Sequence, residues 1–169
     1  MRTSTEGDIV LAKLDDGEDL FPAIRGIATH HGFDSGMVLW GIGMLRDAEV
    51  GFFNGTSYER ETYREPQELL AMHGSIAADA EVPLHLHVAL AGRDHRVVGG
   101  HLFRARVAVL NEIAIRPFRE IRLTRALNPR SGLRELVLEP PGRGGPRGRQ
   151  RAKRGTSRPR RTSGRRSSP

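Results

Sequence analysis

The segment Leu84-His85-Leu86-His87-Val88-Ala89-Leu90 alternates strictly between apolar side chains and others, the pattern of a half-buried strand. It predicts Leu84, Leu86, Val88 and Leu90 on one face and His85, His87 and Ala89 on the other. Helical spacing is found elsewhere, where Leu20, Ile24, Ile27 and His31 recur on one stripe that Phe21 and Ala28 widen. Pro22 is tolerated in a first turn, and Gly32 is placed to end the helix. Asp15-Asp16-Gly17-Glu18-Asp19 precedes it with turn residues, a candidate N-cap and acids suited to a helix N-terminus.

The remaining apolar pattern reads as strands at residues 9–12, 37–40, 48–53, 58–63, 68–76, 84–90, 102–115 and 133–138, punctuated by Gly, Asn, Asp and Pro at hairpin-like intervals. One main helix packed on a mostly antiparallel sheet follows, an α+β fold. Gly41-Ile42-Gly43 lacks the third glycine or Lys-Ser/Thr of a phosphate loop, so a tight turn or bulge is expected there. No Gly-x-Ser-x-Gly elbow is present, and nothing reads as a hydrolase.

Charge divides the chain in two. Of its 27 basic residues 11 fall in residues 140–169, where no acid occurs, so residues 1–139 carry 16 bases against all 20 acids. The pI of 11.0 therefore belongs to the C-terminal segment, which is almost entirely Pro, Gly, Arg, Ser and Thr and is expected to be a disordered basic tail. Residues 1–139 are long enough to fold around their own core. With no cysteine, disulfides and thiolate sites are excluded, and a metal must be held by His, Asp or Glu. Neither an apolar stretch of membrane-spanning length nor a signal-peptide pattern is seen, so a soluble cytoplasmic protein with no membrane partner is the expectation.

Two constellations carry candidate chemistry. His85 and His87, at i and i+2 on one strand face, converge as two nitrogen ligands. His101 is the leading third ligand because Gly99-Gly100 permits a bulge or a close backbone approach beside the neighbouring strand; His73 is the reserve. Three imidazoles suit Zn first, and also Fe, Ni or Cu. The same spacing also suits half-buried histidines that donate to carbonyls. No general acid or base stands out, Asp94 and Glu112 being the acids considered.

The second constellation is Pro146-Arg147-Gly148-Arg149-Gln150, which an extended chain can lay along an A·T-rich minor groove. Arg143, Arg151, Lys153, Arg154, Arg158, Arg160, Arg161, Arg165 and Arg166 would join Arg147, Gly148 and Arg149 in contacting DNA, chiefly its phosphates. A GC-rich coding sequence would also give this bias, since only Lys13 and Lys153 among the 27 bases are lysine.

Gly17-Glu18-Asp19-Leu20, Gly41-Ile42-Gly43 with Leu45-Arg46-Asp47-Ala48, Leu84-His85-Leu86-His87 and Gly99-Gly100-His101-Leu102 together resemble the plant- and prokaryote-conserved (PPC) domain, in the same order over residues 9–138. The resemblance implies an α+β fold, a homotrimer and, for some prokaryotic members, a metal on histidines matching His85, His87 and His101. Plant members carry an N-terminal AT-hook reading Arg-Gly-Arg-Pro; here the hook-like motif is C-terminal, with Gln150 in place of that proline. The reading that results is a DNA-binding protein whose body trimerises and whose tail contacts DNA. The alternative is a metal-binding enzyme or small-molecule sensor that uses the three histidines, with the tail incidental.

Overall fold

The computed structural model describes residues 1–77, 80–81 and 83–138. Strands β1 (Arg2–Glu6) and β2 (Ile9–Asp15) lead into helix α1 (Leu20–His31), followed by β3 (Ser35–Phe53), β4 (Tyr58–Tyr63), β5 (Gln67–Ala77), β6 (Leu84–Ala91), β7 (Val97–Pro117), β8 (Leu123–Leu127) and β9 (Arg134–Leu138). Seven strands form one sheet in the order β1-β2-β7-β6-β5-β3-β4, and β8 and β9 form a separate two-stranded sheet. Every strand pairing is antiparallel. The α+β expectation of a mostly antiparallel sheet with one helix holds for the described residues. The basic segment expected to be disordered lies outside them.

Helix α1 buries Leu20, Ile24, Ile27 and Ala28, the stripe predicted from spacing. Gly32 ends it in the left-handed conformation (φ 65°), where a side chain would be strained. The acids before the helix act differently from the expectation. Asp19 occupies the N-cap position without a side-chain cap, and its carboxylate instead accepts from Arg106 Nε at 3.2 Å. Asp16 accepts from Arg46 at 2.8 Å and from the Val109 N–H at 3.0 Å. These carboxylates tie distant strands together rather than supporting the helix terminus.

The predicted strands at residues 37–40 and 48–53 are one 19-residue strand, β3. Gly41-Ile42-Gly43 lies within it, and the register with β7 slips between Val38 and Trp40, between Gly43 and Met44, and again between Arg46 and Val50. The bulge expectation holds and the tight turn does not form. Buried Asn111 secures this slip, its Nδ2 donating to the carbonyls of Met44 (3.1 Å), Leu110 (2.9 Å) and Ile42 (3.4 Å). Such bulges bend and twist a strand, so β3 and β7 each pair with three neighbours. Pairings β3–β5, β5–β6, β6–β7 and β7–β3 close a ring. The core, with Leu86 and Leu90 of β6 fully buried, forms one continuous cluster with the helix stripe. The opposite face of β6 is left to His85, His87 and Ala89.

Candidate metal centre

Alternation along β6 places His85 and His87 side by side, with His85 Nε2 and His87 Nε2 3.1 Å apart. The third imidazole comes from β7, where His101 stands directly opposite His87 in the ladder. Gly99 and Gly100 explain how it gets there. A Cβ on Gly99 would lie 2.5 Å from the Val88 carbonyl oxygen, and one on Gly100, at φ +154°, would lie 2.6 Å from the Gly51 carbonyl oxygen. Backbones on both sides of β7 thus come too close for a side chain there, as expected from the glycine pair.

One nitrogen from each of His85, His87 and His101 lies within 4.8 Å of the others. Zinc at about 2.0–2.1 Å from tetrahedral imidazoles separates the nitrogens by about 3.3 Å, close to the His85–His87 distance. His101 Nδ1 is buried without a hydrogen-bond partner among the described residues, a costly state for a polar atom. An unsatisfied nitrogen beside two more imidazoles fits a divalent metal of the zinc type. The donor set is all nitrogen, with no carboxylate in it.

The surroundings of His85 and His101 favour their neutral form. Burial, reinforced by His85 and His87, pushes the His101 imidazole down to about 4. Burial also lowers His85, with the Arg125 guanidinium and His87 adding to it. Neutral imidazole is the form that binds metal. An aromatic wall holds His101, its ring centroid 4.5 Å from Phe103 and 5.1 Å from Tyr58. The Arg60 guanidinium covers the Phe103 ring at 3.6 Å and donates to Glu49 at 2.9 Å.

His73 stands opposite His87 on β5, but its Nδ1 is 2.7 Å from the Leu39 carbonyl oxygen and it lies outside the cluster of three. That is the carbonyl-bonded role which the sequence left open for histidines. Asp94 sits in the β6–β7 turn, where it accepts from the Arg96 N–H at 3.1 Å, and Glu112 lies opposite Ile42 and Lys13. Neither joins the triad. The tail residues Arg143 to Arg166 lie outside the described residues. Sequence reasoning missed Ser75 and Arg125: Ser75 faces His85 across β5 and β6, and Arg125 Nη2 donates to Ser75 Oγ at 2.7 Å.

The fold is thus a small, β-rich antiparallel sheet with one helix that gathers three imidazoles in one place. The chain belongs to the Plants and Prokaryotes Conserved (PCC) domain family, whose model matches residues 1–119. The metal-containing protein AF0104 from Archaeoglobus fulgidus has a similar structure, with a TM-score of 0.70, 28% identity, and coverage of 81% of this chain and 99% of that one. A candidate DNA-binding protein from Bacteroides thetaiotaomicron aligns with a TM-score of 0.72 at 25% identity, over 80% of this chain and 96% of its own. A plant- and prokaryote-conserved protein from Pyrococcus horikoshii shares the fold at 23% identity, with a TM-score of 0.68 over 80% of this chain and 96% of that one. Part of the bifunctional protein GlmU of Synechococcus sp. (strain JA-3-3Ab) is 31% identical over 137 residues, which is 80% of this chain and 21% of that protein.

Proposed function

We propose that this is a DNA-binding protein in which the PCC body assembles as a homotrimer and the arginine-rich segment grips DNA. The observation that carries the reading is the charge division: 11 bases and no acid in residues 140–169, against an acid-rich body. Three such segments on one trimer act as linked contacts, so weak individual binding gains through effective concentration. Similarity to the candidate DNA-binding protein of Bacteroides thetaiotaomicron agrees with this. An apolar row supports self-association, because Leu11 and Trp40 flank Ala114 across β2, β7 and β3 and are 47% and 38% exposed. Association would cover them. No described helix is long and apolar enough to cross a membrane.

The test is a salt titration of DNA binding by the full chain and by a full-length variant with the 11 tail bases replaced by glutamine. Each phosphate neutralised contributes about 0.9 to the slope of log K against log salt. The native chain is expected to show a steep slope that the variant loses. A preference for A·T-rich over G·C-rich duplexes would assign Arg147-Gly148-Arg149 to the minor groove. Undiminished binding by the variant would overturn the reading.

His85, His87 and His101 favour a second reading, in which the body holds a metal, Zn first, in a sensor or catalytic role. Its support is the unsatisfied His101 nitrogen within the triad, together with likeness to a metal-containing protein. One zinc per chain, lost in His87→Ala, is the expected elemental analysis. A protein that takes up no metal would refute it.

A further inference from the structure

A cavity of about 630 Å³ opens beside the triad, between the ring of strands and the β8–β9 hairpin. Its size suits a small organic ligand. The hairpin follows the stretch matched by the family model, which ends at residue 119. The chain has six Phe, two Tyr and one Trp, and three of these nine, Phe21, Tyr58 and Phe103, line this one cavity. They come from α1, β4 and β7, and all three are half-buried. Leu84, Leu133 and Leu136 add aliphatic lining.

The rings form a braced corner. Tyr58 and Phe103 meet edge to face at 4.9 Å and 84°, and His101 leans on Phe103 at 4.5 Å and 57°. Arg60, which does not line the cavity, covers Phe103 at 3.6 Å and is itself held by Glu49. The charged groups on the wall are of both signs and each is engaged. Arg125 donates to Ser75 Oγ at 2.7 Å and has a further partner, Arg134 is ion-paired with Glu81, and Glu135 accepts from Asn128 Nδ2 at 2.9 Å and Ser131 Oγ at 2.7 Å. An anion would meet the Glu135 carboxylate and a cation the two guanidiniums, so a ligand of either sign faces like charge on the same wall.

We propose that this cavity binds an uncharged aromatic molecule, its rings against Phe21, Tyr58 and Phe103 and enclosed by the hairpin leucines Leu133 and Leu136. Aromatic pairs gain from tilted and edge-to-face contacts beyond the area they bury, and a corner of rings offers such contacts to a flat ligand and not to an aliphatic one. A net charge would lose water without finding an unopposed partner. The inference goes beyond both readings above and needs neither DNA nor a metal.

Full-length protein, zinc-loaded and zinc-free, is titrated calorimetrically at neutral pH with 2-naphthamide and with its saturated counterpart decahydro-2-naphthamide. The charged analogues 2-naphthoate and 2-naphthylmethylammonium complete the series, and zinc content is measured independently. Saturable binding of 2-naphthamide at one per chain is expected in both forms of the protein. Each charged analogue should bind about tenfold more weakly or worse, and the saturated amide about threefold more weakly or worse. Tyr58→Leu, which removes the ring and keeps an apolar side chain, should weaken 2-naphthamide binding by about threefold or more. Leu136→Glu, at an exposed position on the wall, should weaken it by about tenfold or more and guards against misfolding of the first variant. The proposal is overturned if 2-naphthamide does not saturate, if a charged analogue or the saturated amide binds as tightly, or if neither variant weakens binding in a folded protein. Binding confined to the zinc-loaded form would make the metal the anchor and overturn it too. A cavity filled instead by a second copy of the chain would show no saturation and a smaller assembly on Leu136→Glu, which also overturns it.

Discussion

Strand β7 carries two buried side-chain atoms that lack hydrogen-bond partners among the described residues, Nδ1 of His101 near one end and Oδ1 of Asn111 near the other. Their surroundings differ. The Asn111 amide nitrogen already donates to three backbone carbonyls at the point where β3 slips against β7, so the side chain has a structural task with one oxygen left over. His101 does no comparable work for the backbone. Its imidazole faces two others, between an aromatic wall and an open cavity. An unsatisfied polar atom thus separates a buried joint from a binding site only when its neighbours are read with it.

Exchanging the two residues' properties tests that distinction. His101→Ala is expected to lower zinc affinity by more than about 100-fold, beyond the 10–100-fold typical of losing a group that only supports a ligand; competition with a chromogenic chelator measures it. Unchanged affinity would reduce His101 to a packing residue. Asn111→Leu is expected to destabilise the fold by about 2–3 kcal/mol, because carbonyls at the slip lose their donor while buried. Zinc content per folded chain should stay the same. Chemical denaturation gives the first quantity, and a neutral result would mean the slip holds without the amide.

Acid should then distinguish them further. His101 lies near 4 when folded and near 6.5 when unfolded, so between those values the unfolded chain binds the extra proton. Metal-free stability is fully present above about 6.5 and falls as pH drops towards 4. His101→Gln should flatten that part of the profile in denaturation curves measured across this range, whereas Asn111, which does not titrate, should contribute no slope. The smallest effect concerns Val109, a β-branched residue at φ 63° beside Asn111. Left-handed backbone costs such a residue about 1–2 kcal/mol, against about 0.5–1 kcal/mol for the freedom of glycine. Val109→Gly should therefore raise stability by up to about 1 kcal/mol by thermal melt, and a lower melting point would refute the strain.

Local patterns foretold much of this. The helix stripe ending at Gly32, the alternation of β6 and the 58–63 strand are properties of neighbours in sequence, and each is found in place. Strand β1 was missed because Arg2-Thr3-Ser4-Thr5-Glu6 is a polar edge with little apolar alternation. Strand β8 was missed because Leu123-Thr124-Arg125-Ala126-Leu127 does not alternate between apolar and polar side chains. Gly41, Gly43 and Asp47 looked like breaks in β3 and are absorbed by its bulges, since pairing with β5 and β7 outweighs local preference. His101 could be placed beside His87 through its glycine pair. Arg125 could not be placed beside His85, because a separate hairpin brings it there and no spacing records that contact.

The ring of strands also has an order of assembly. Its closing member, β7, is the last to be synthesised and ends at Pro117, yet it pairs with β2, whose residues begin at Ile9, and with β3 and β6. A nascent chain must therefore hold β2, β3, β5 and β6 open, with strand edges exposed, until β7 has left the ribosome. Such long-range closure is slow. The histidine triad, shared between β6 and β7, therefore comes into being together with the fold itself.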